Sequence, residues 1–338
     1  MAAEEEPRVT LPTDVTHEQV PTNGVELHVA MAGPGDGPPV VLCHGFPELW
    51  YSWRHQLAAL GGAGYRALAP DLRGYGSSSH PSAVADYGSD RLTGDLCGLL
   101  DHYGYETADF AGHDWGSAVV WDMGRLHPER VASICNMSVP YTNASGRPTQ
   151  IFEHLFGDRF FYMLYFQEVG PPEAEFDADP RRFVRTMLYS ASGDGMAATS
   201  DLRLDAPAEG TKFLDVLRAA PAHLPGWITE EDVTVYVEGL TRGGLFGPLS
   251  YYRNLDANWE RSKDIPASVY VMPTGFITGS LDPVNLMTPG ALRAMADVLP
   301  DFRGTTTIEG AGHWVQQERP VETNAALLAF LDAVSSGG

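Results

Sequence analysis

The chain has few positive charges, and lysine is nearly absent. Lys and Arg together number 22 among 338 residues, against 44 Asp and Glu, and Lys212 and Lys263 are the only lysines. The formal net charge of −22 opposes binding to nucleic-acid phosphates and to anionic lipid surfaces. The composition therefore argues against a nucleic-acid-binding or membrane-surface protein.

Cysteine is also scarce, and long apolar runs are missing. Cys43, Cys97 and Cys135 are far apart, and each lies in an apolar run, which favours small core residues in a reducing compartment over disulfides or a metal site. The acidic first twelve residues lack the apolar core of a signal peptide, and no apolar run has the length of a membrane span. We therefore expect a cytoplasmic protein whose residues 1–15 are loosely ordered.

Alternating strand and helix patterns indicate an α/β fold. An alternating pattern predicts a strand at 25–29, and short apolar runs typical of buried parallel strands occur at 39–43, 66–71, 107–113 and 131–139. The segments between the later strands predict helices at 52–60, 87–103 and 117–126. This alternation predicts a doubly wound, mostly parallel sheet.

The alternation of predicted strands and helices stops after residue 140. Residues 141–258 lack strand–helix alternation, are rich in aromatic residues, and predict helices at 150–167, 180–191, 211–219 and 229–241. Alternation then resumes with a predicted strand at 265–275, a helix at 289–299, a strand at 305–309 and a helix at 321–334. We therefore predict a core formed by residues 1–140 and 259–338, with an inserted helical cap at 141–258.

Asp114 occupies the centre of the most informative motif. Gly112-His113-Asp114-Trp115-Gly116 has the small-x-nucleophile-x-small pattern of a strand-to-helix elbow, with a carboxylate in the place of serine. A carboxylate is already ionised at neutral pH, and with an sp3 carbon it forms an ester that water can hydrolyse. Serine would give a stable ether. Asp114 therefore predicts a substrate that alkylates the enzyme, either an epoxide or an organic halide.

Two later loops supply candidate partners for Asp114. Asp282 and His313 each follow a predicted strand, and nucleophile, acid and histidine then occur in the chain order of an α/β-hydrolase. Taken singly, an Asp before Pro is commonly a turn former, and a His in a glycine-rich loop is commonly a surface residue. The order of all three favours a triad in which Asp282 orients His313 and His313 activates water.

The motif His44-Gly45-Phe46-Pro47 directly follows the predicted strand at 39–43. The backbone N–H groups of Phe46 and Trp115 are expected to form an oxyanion hole for the hydrolysis of the ester. An ordinary Gly-Pro turn is the alternative interpretation. The Phe46–Pro47 bond is a candidate cis peptide, because cis bonds occur mainly before proline.

Three segments, residues 44–54, 73–77 and 112–116, resemble the soluble epoxide hydrolases of the α/β-hydrolase superfamily. The resemblance covers roughly residues 20–335 and includes the cap. It implies the α/β-hydrolase fold, conversion of an epoxide and water to a vicinal diol, a small-molecule partner, a monomer or homodimer, and no metal or organic cofactor. It also implies a hydrophobic pocket between cap and core, lined in part by Phe46, Pro47, Trp115 and Trp314.

The resemblance further implies two cap tyrosines that polarise the epoxide oxygen. Residues 163–168 are similar to the first tyrosine segment of the family, and residues 247–254 to the second, in which the donor precedes Arg-Asn. These roles are carried onto Tyr165 and Tyr252. Tyr162 and Tyr251 are the neighbouring alternatives, and simple packing within the cap is the other interpretation of such aromatic side chains.

Two other functions are compatible with parts of the sequence. A haloalkane or haloacetate dehalogenase would share the Asp nucleophile, but Phe46 stands where haloalkane dehalogenases tend to have a polar Asn, and no arginine follows Asp114. A ligand-binding protein on a hydrolase scaffold is the second alternative, since a fold does not fix a function. The complete triad and the paired cap tyrosines argue against it.

Overall fold

The computed structural model describes residues 15–198, 205–288 and 290–336. Residues 1–14 lie outside these ranges, and with them nearly all of the segment predicted to be loosely ordered. Within the described ranges one sheet contains the strands β1 (Thr16–Thr22), β2 (Val25–Ala32), β3 (Pro39–Cys43), β4 (Arg66–Pro70), β5 (Ala108–Gly112), β6 (Val131–Met137), β7 (Thr274–Gly279) and β8 (Phe302–Ile308).

The sheet is mostly parallel and has helices on both faces. Its strand order is β1-β2-β4-β3-β5-β6-β7-β8. The pairs β1–β2 and β2–β4 are antiparallel, and all the other pairs are parallel. The predicted doubly wound α/β architecture is therefore confirmed.

The helices of the core follow the predicted alternation. They are α1 (Arg54–Gly62), α2 (Ser89–Tyr103), α3 (Trp115–Leu126), α13 (Pro283–Met287), α14 (Ala291–Val298), α15 (Val315–Glu318) and α16 (Pro320–Ser335). Between β6 and β7 lie α4 (Pro148–Phe156), α5 (Tyr162–Tyr165), α6 (Pro171–Ala178), α7 (Pro180–Ala191), α8 (Gly193–Ala197), α9 (Phe213–Val216), α10 (Glu230–Gly243), α11 (Phe246–Arg253) and α12 (Leu255–Ser262). We propose that the helices of residues 141–258 form the cap; α12 crosses the predicted boundary at 258.

Strand β3 illustrates why an apolar run forms the centre of this sheet. Val40 and Leu42 pack into the cluster that includes α1 and α16, whereas Val41 and Cys43 pack into the cluster that includes α2 and α3. Successive side chains of a strand point to opposite faces, so a strand covered on both sides is apolar at every position. The parallel strands also bring the loops after β3, β5, β7 and β8 to one edge of the sheet, where ligands of such folds bind.

Several predicted elements differ from the structure in their bounds; the helix predicted at 211–219, for example, covers only Phe213–Val216. The strand predicted at 265–275 begins only at Thr274, because Pro266 and Pro273 lack the N–H that a central strand donates; residues 267–269 form a 3-10 turn instead. The helix predicted at 150–167 is broken into α4 and α5 at Gly157, whose φ is +56°. No helix in the described ranges combines the length and the apolar content needed to cross a membrane.

Candidate active site

Asp114 lies at a sharp turn between β5 and α3. Its φ of 52° and ψ of −118° are unusual for a residue with a side chain, and such a conformation costs on the order of 1–3 kcal/mol. The flanking glycine has no space for a side chain, because a Cβ atom on Gly116 would lie 1.9 Å from the carbonyl oxygen of Cys43. The elbow predicted from the sequence therefore presents the carboxylate of Asp114 at the edge of the sheet.

His313 lies between two carboxylates. Its Nε2 atom is 3.3 Å from Oδ2 of Asp114, and its Nδ1 atom is 3.1 Å from Oδ1 of Asp282. That Asp282 oxygen also accepts the backbone N–H of Val284 at 2.9 Å, which fixes the carboxylate at the start of α13. The structure thus brings together the three side chains that the sequence placed in one triad.

The charges of this triad shift the pKa values of His313 and Asp114. Burial alone would lower the pKa of His313, but Asp282 and Asp114 outweigh that effect and hold it well above the ordinary value. Burial alone would raise the pKa of Asp114, but the hydrogen bond and charge of His313, with smaller contributions from His113 and Phe46, lower it. Asp114 is therefore an anion at neutral pH, the state that its predicted role as nucleophile requires.

The backbone N–H of Phe46 donates to Oδ1 of Asp114 at 2.8 Å. The approach is close, because a Cβ atom on Gly45 would lie 2.4 Å from Cβ of Asp114. Trp115 is the first residue of α3, where backbone N–H groups lack partners within the helix. These are the two positions predicted for the oxyanion hole, and the Phe46–Pro47 peptide between the strand and the helix is cis.

Tyr252 lies directly over these two residues. The centroid of its ring is 5.5 Å from that of Phe46 and 4.9 Å from that of Trp115. Burial, then the charge of Asp114, raises the pKa of Tyr252 well above its usual range. The neighbouring Tyr251 instead donates its hydroxyl to the carbonyl of Arg73 at 2.9 Å, so Tyr252 is the tyrosine of this segment that faces Asp114.

The hydroxyl of Tyr165 faces Glu175 and not Asp114. Its hydroxyl donates to Glu175 at 3.0 Å, and after burial it is the charge of Glu175 that raises its pKa. Tyr162, one turn earlier in α5, has its pKa raised by burial and then by Asp114. Its ring centroid is 6.0 Å from that of Tyr252. The sequence assigned the donor role to Tyr165, but the hydroxyl of Tyr165 is bonded to Glu175, whereas Tyr162 packs against Tyr252. We therefore propose Tyr162 for this role in place of Tyr165.

The remaining predicted pocket residues surround this site to different degrees. Pro47 is buried beside Phe46, and Trp115 is partly exposed to a cavity of about 170 Å³ between α3 and α12. Trp314 is fully buried, and its indole N–H donates to the carbonyl of Leu188 at 2.6 Å. The centroid of its ring lies 4.8 Å from that of His313, so Trp314 packs against the histidine ring.

A buried polar network beneath the triad was not predicted from the sequence. His113 Nδ1 lies 2.7 Å from Oε2 of Glu48, and its Nε2 lies 2.7 Å from the carbonyl oxygen of His313. The same Glu48 oxygen accepts the N–H of Gly45, and the other accepts the amide groups of Gln316 and Gln317. These residues adjoin the predicted motifs, but no spacing rule connects positions 48, 113 and 316.

Comparison with known sequences identifies the superfamily and a narrower family. The family described as alpha/beta hydrolase fold matches residues 38–191. Epoxide hydrolase A of Mycobacterium tuberculosis is 48% identical over 319 residues, covering 94% of this chain and 97% of that protein. Epoxide hydrolase B of the same organism is 38% identical, covering 93% of this chain and 98% of that protein.

Solved structures give the same relationship. The crystal structure of epoxide hydrolase A from Mycobacterium thermoresistibile has a TM-score of 0.86 and 46% identity, covering 94% of this chain and 98% of that one. An epoxide hydrolase from an endophytic Streptomyces has a TM-score of 0.89 and 38% identity, covering 96% and 97%. With the fold and the carboxylate at the elbow, these relationships show that the chain belongs to the epoxide hydrolases of the α/β-hydrolase superfamily.

Proposed function

We propose that this epoxide hydrolase converts its substrate to a vicinal diol through a covalent ester on Asp114. Hydrolysis of an epoxide follows from the family, and the named residues and the two-step mechanism are our assignment. The observation that carries it is the contact of His313 with both carboxylates, at 3.3 Å to Asp114 and 3.1 Å to Asp282. This arrangement suits a nucleophile, a base and the residue that orients the base.

In the first step, Asp114 attacks a ring carbon and the bond from that carbon to the epoxide oxygen breaks. Oδ1 of Asp114 is engaged by the N–H of Phe46, so we assign Oδ2 as the attacking atom and Oδ1 as the future ester carbonyl. The departing alkoxide needs a proton. Tyr162 and Tyr252 are assigned to hydrogen-bond the ring oxygen and to supply that proton, since burial and the charge of Asp114 keep both phenols neutral.

In the second step, water hydrolyses the ester. His313 takes a proton from water, whose oxygen adds to the ester carbonyl carbon, and negative charge gathers on Oδ1. The N–H groups of Phe46 and Trp115 are assigned to hold that charge, the type of stabilisation that gives acyl transfer much of its rate. Collapse of the intermediate breaks the bond from carbon Cγ to Oδ2, and the imidazolium of His313 returns its proton to Oδ2, so that the diol leaves with that oxygen. The carboxylic acid left on Asp114 gives its proton to the tyrosinate formed in the first step, which regenerates both the carboxylate and the phenol.

A single-turnover experiment in heavy-oxygen water tests this mechanism. With enzyme in excess over a simple epoxide such as styrene oxide, the first diol is expected to carry unlabelled oxygen from Asp114, and the label is expected in the Asp114 carboxylate. Label in the first diol would show direct attack by water and would refute the ester. A parallel halide-release assay separates the dehalogenase alternative, which the names of the relatives do not support.

The location and the assembly of the protein stay predictions. We propose a cytoplasmic protein that is a monomer or a homodimer. Cell fractionation tests the first statement, and light scattering of the purified chain tests the second.

A further inference from the structure

Glu318 is a buried carboxylate that has no place in the mechanism above. It is the last residue of α15, five positions after His313, and only 3% of its surface is exposed. Its Oε2 atom accepts the backbone N–H groups of Gly193 at 2.8 Å and Gly312 at 3.0 Å. Its Oε1 atom accepts the N–H of Trp314 at 3.0 Å. Both oxygens accept hydrogen bonds, which is the arrangement of an ionised carboxylate.

The three donors come from both sides of His313 and from the cap. Gly312 and Trp314 flank the histidine in the chain, whereas Gly193 begins α8 of the cap. The N–H of His313 itself donates to the carbonyl of Ala191 at 2.9 Å, the last residue of α7. One carboxylate therefore joins the histidine loop of the core to the junction of two cap helices.

The two segments are packed too closely to rearrange around a lost hydrogen bond. A Cβ atom on Gly312 would lie 2.2 Å from the backbone nitrogen of Gly193, and one on Gly193 would lie 2.2 Å from the carbonyl oxygen of Gly310. Removing an acceptor here leaves a buried N–H without a partner, which is more costly than the bond itself was favourable. The position of the His313 backbone thus depends on the Glu318 carboxylate.

We propose that Glu318 is a positioning residue for His313, which holds the histidine loop against the cap and so serves the hydrolysis of the ester. The inference rests on the proposed function, because it concerns the second of its two steps. The first step needs the Asp114 carboxylate and two tyrosines, none of which Glu318 contacts through the hydrogen bonds given above. The two steps should consequently respond differently to a change at this residue.

The charge of Glu318 adds a second effect. Burial raises the pKa of Glu318, while its three N–H bonds and the charge of His313 oppose that rise. The same attraction acts on His313, which also faces Asp114, Asp282 and the ring of His113 at 4.9 Å between centroids. Loss of the Glu318 charge should therefore lower the pKa of His313 in the ester as well as loosen its backbone.

The test measures the two steps separately in Glu318→Gln. The amide has nearly the volume of the carboxylate but no charge. Its one oxygen can accept hydrogen bonds, whereas its NH2 group faces backbone N–H groups that also need an acceptor. We expect ester hydrolysis to slow by about ten- to a hundredfold, by analogy with the loss of an outer-shell partner of a metal-binding histidine. Ester formation should stay within about threefold of the wild type, as expected for an interaction that the first step does not use.

Glu175→Gln is the matched control. Glu175 is also buried, and it accepts the backbone N–H groups of Phe213 and Leu214 together with the hydroxyl of Tyr165. Its donors all belong to the cap, so this variant should lose stability without changing the ratio of the two rates by more than about threefold. If Glu318→Gln does not fold, Glu318→Asp, which keeps the charge but is one methylene shorter, is measured in the same way.

The outcomes separate the inference from the function on which it rests. Accumulated ester in Glu318→Gln, with a pH–rate profile of hydrolysis displaced to lower pH, supports the inference. If both rates change equally in Glu318→Gln, or if a folded variant hydrolyses the ester at the wild-type rate, the inference is overturned. An ester detected in the wild type would still support the proposed function in that case. Absence of any ester in the wild type and in His313→Gln would instead overturn the proposed function.

Discussion

Replacing Tyr162 by Phe is the most direct test of the proposal that Tyr162, and not Tyr165, is the second proton donor. The change removes one hydroxyl and leaves the ring, whose centroid lies 6.0 Å from that of Tyr252. Tyr165→Phe is a matched control on the same short helix, α5. The two variants differ in which carboxylate the lost hydroxyl faced, Asp114 for Tyr162 and Glu175 for Tyr165.

We expect the rate of ester formation to fall by at least an order of magnitude more in Tyr162→Phe than in Tyr165→Phe. Tyr162 is proposed as one of two donors to the developing alkoxide, and loss of one such donor costs roughly 10²–10³ in rate, or about 3–4 kcal/mol. Tyr252 remains in Tyr162→Phe, so we expect slower ester formation and not its abolition. Tyr165→Phe loses a partly exposed hydrogen bond of 3.0 Å to Glu175, which is expected to lower stability by about 1 kcal/mol.

Rapid-quench mass spectrometry distinguishes these outcomes. Enzyme in excess is mixed with styrene oxide, and the fraction of the Asp114 peptide that carries the adduct is followed in time. Tyr162→Phe should show slow adduct formation, and Tyr165→Phe a rate close to that of the wild type. Slow adduct formation in Tyr165→Phe beside a normal rate in Tyr162→Phe would refute the choice of Tyr162. Normal rates in both variants would show that neither hydroxyl of this helix takes part in the chemistry.

Three further predictions concern the triad and the elbow. His313→Gln should accumulate the ester on Asp114, detected by mass spectrometry, and an adduct that disappears at the wild-type rate would exclude His313 as the base. The pKa of His313 is raised in the folded protein, so protonated His313 stabilises the fold. This stabilisation is fully present below about pH 6.5, the pKa of histidine in the unfolded chain. It is lost as the pH rises through the folded-state pKa. The difference in unfolding free energy between wild type and His313→Gln, from urea titrations, should therefore shrink over that window; a difference that grows would contradict the assignment. Gly116→Ala places a Cβ atom against the Cys43 carbonyl, so thermal unfolding should report a loss of about 1–3 kcal/mol, and an unchanged melting temperature would show that the elbow can relax.

The triad could be predicted because its members occupy positions that strand order fixes. Asp114, Asp282 and His313 each follow a strand of the parallel part of the sheet, and the carboxyl ends of such strands meet at one edge. Their chain order then assigned the roles. The positions of these three residues do not depend on how the side chains of the cap pack.

The cap tyrosine shows where this kind of prediction stops. Tyr162 and Tyr165 lie in one helical turn, and the choice between them depends on Glu175, which α6 brings to Tyr165. Helix packing within an insert follows from side-chain fit and not from a sheet register, so a similarity of segments located the turn but not the residue. The role of Glu318 could not be predicted from the sequence for a related reason, because its partners include a cap glycine 125 positions away.

The electrostatics of the site connect the two steps of the proposed mechanism. Burial would lower the pKa of His313, and in the free enzyme Asp282 and Asp114 together raise it. Formation of the ester removes the charge of Asp114 and with it one of the two opposing carboxylates, so the pKa of His313 must fall when the ester forms. The histidine is then more readily neutral at the stage where it has to accept a proton from water. Asp282 forms no bond to the substrate, so its effect on the pKa of His313 remains after the ester has formed, and its contact with Nδ1 still holds the ring in place. Asp282→Asn should therefore slow ester hydrolysis more than ester formation in the single-turnover assay. The opposite order would show that Asp282 serves Asp114 instead.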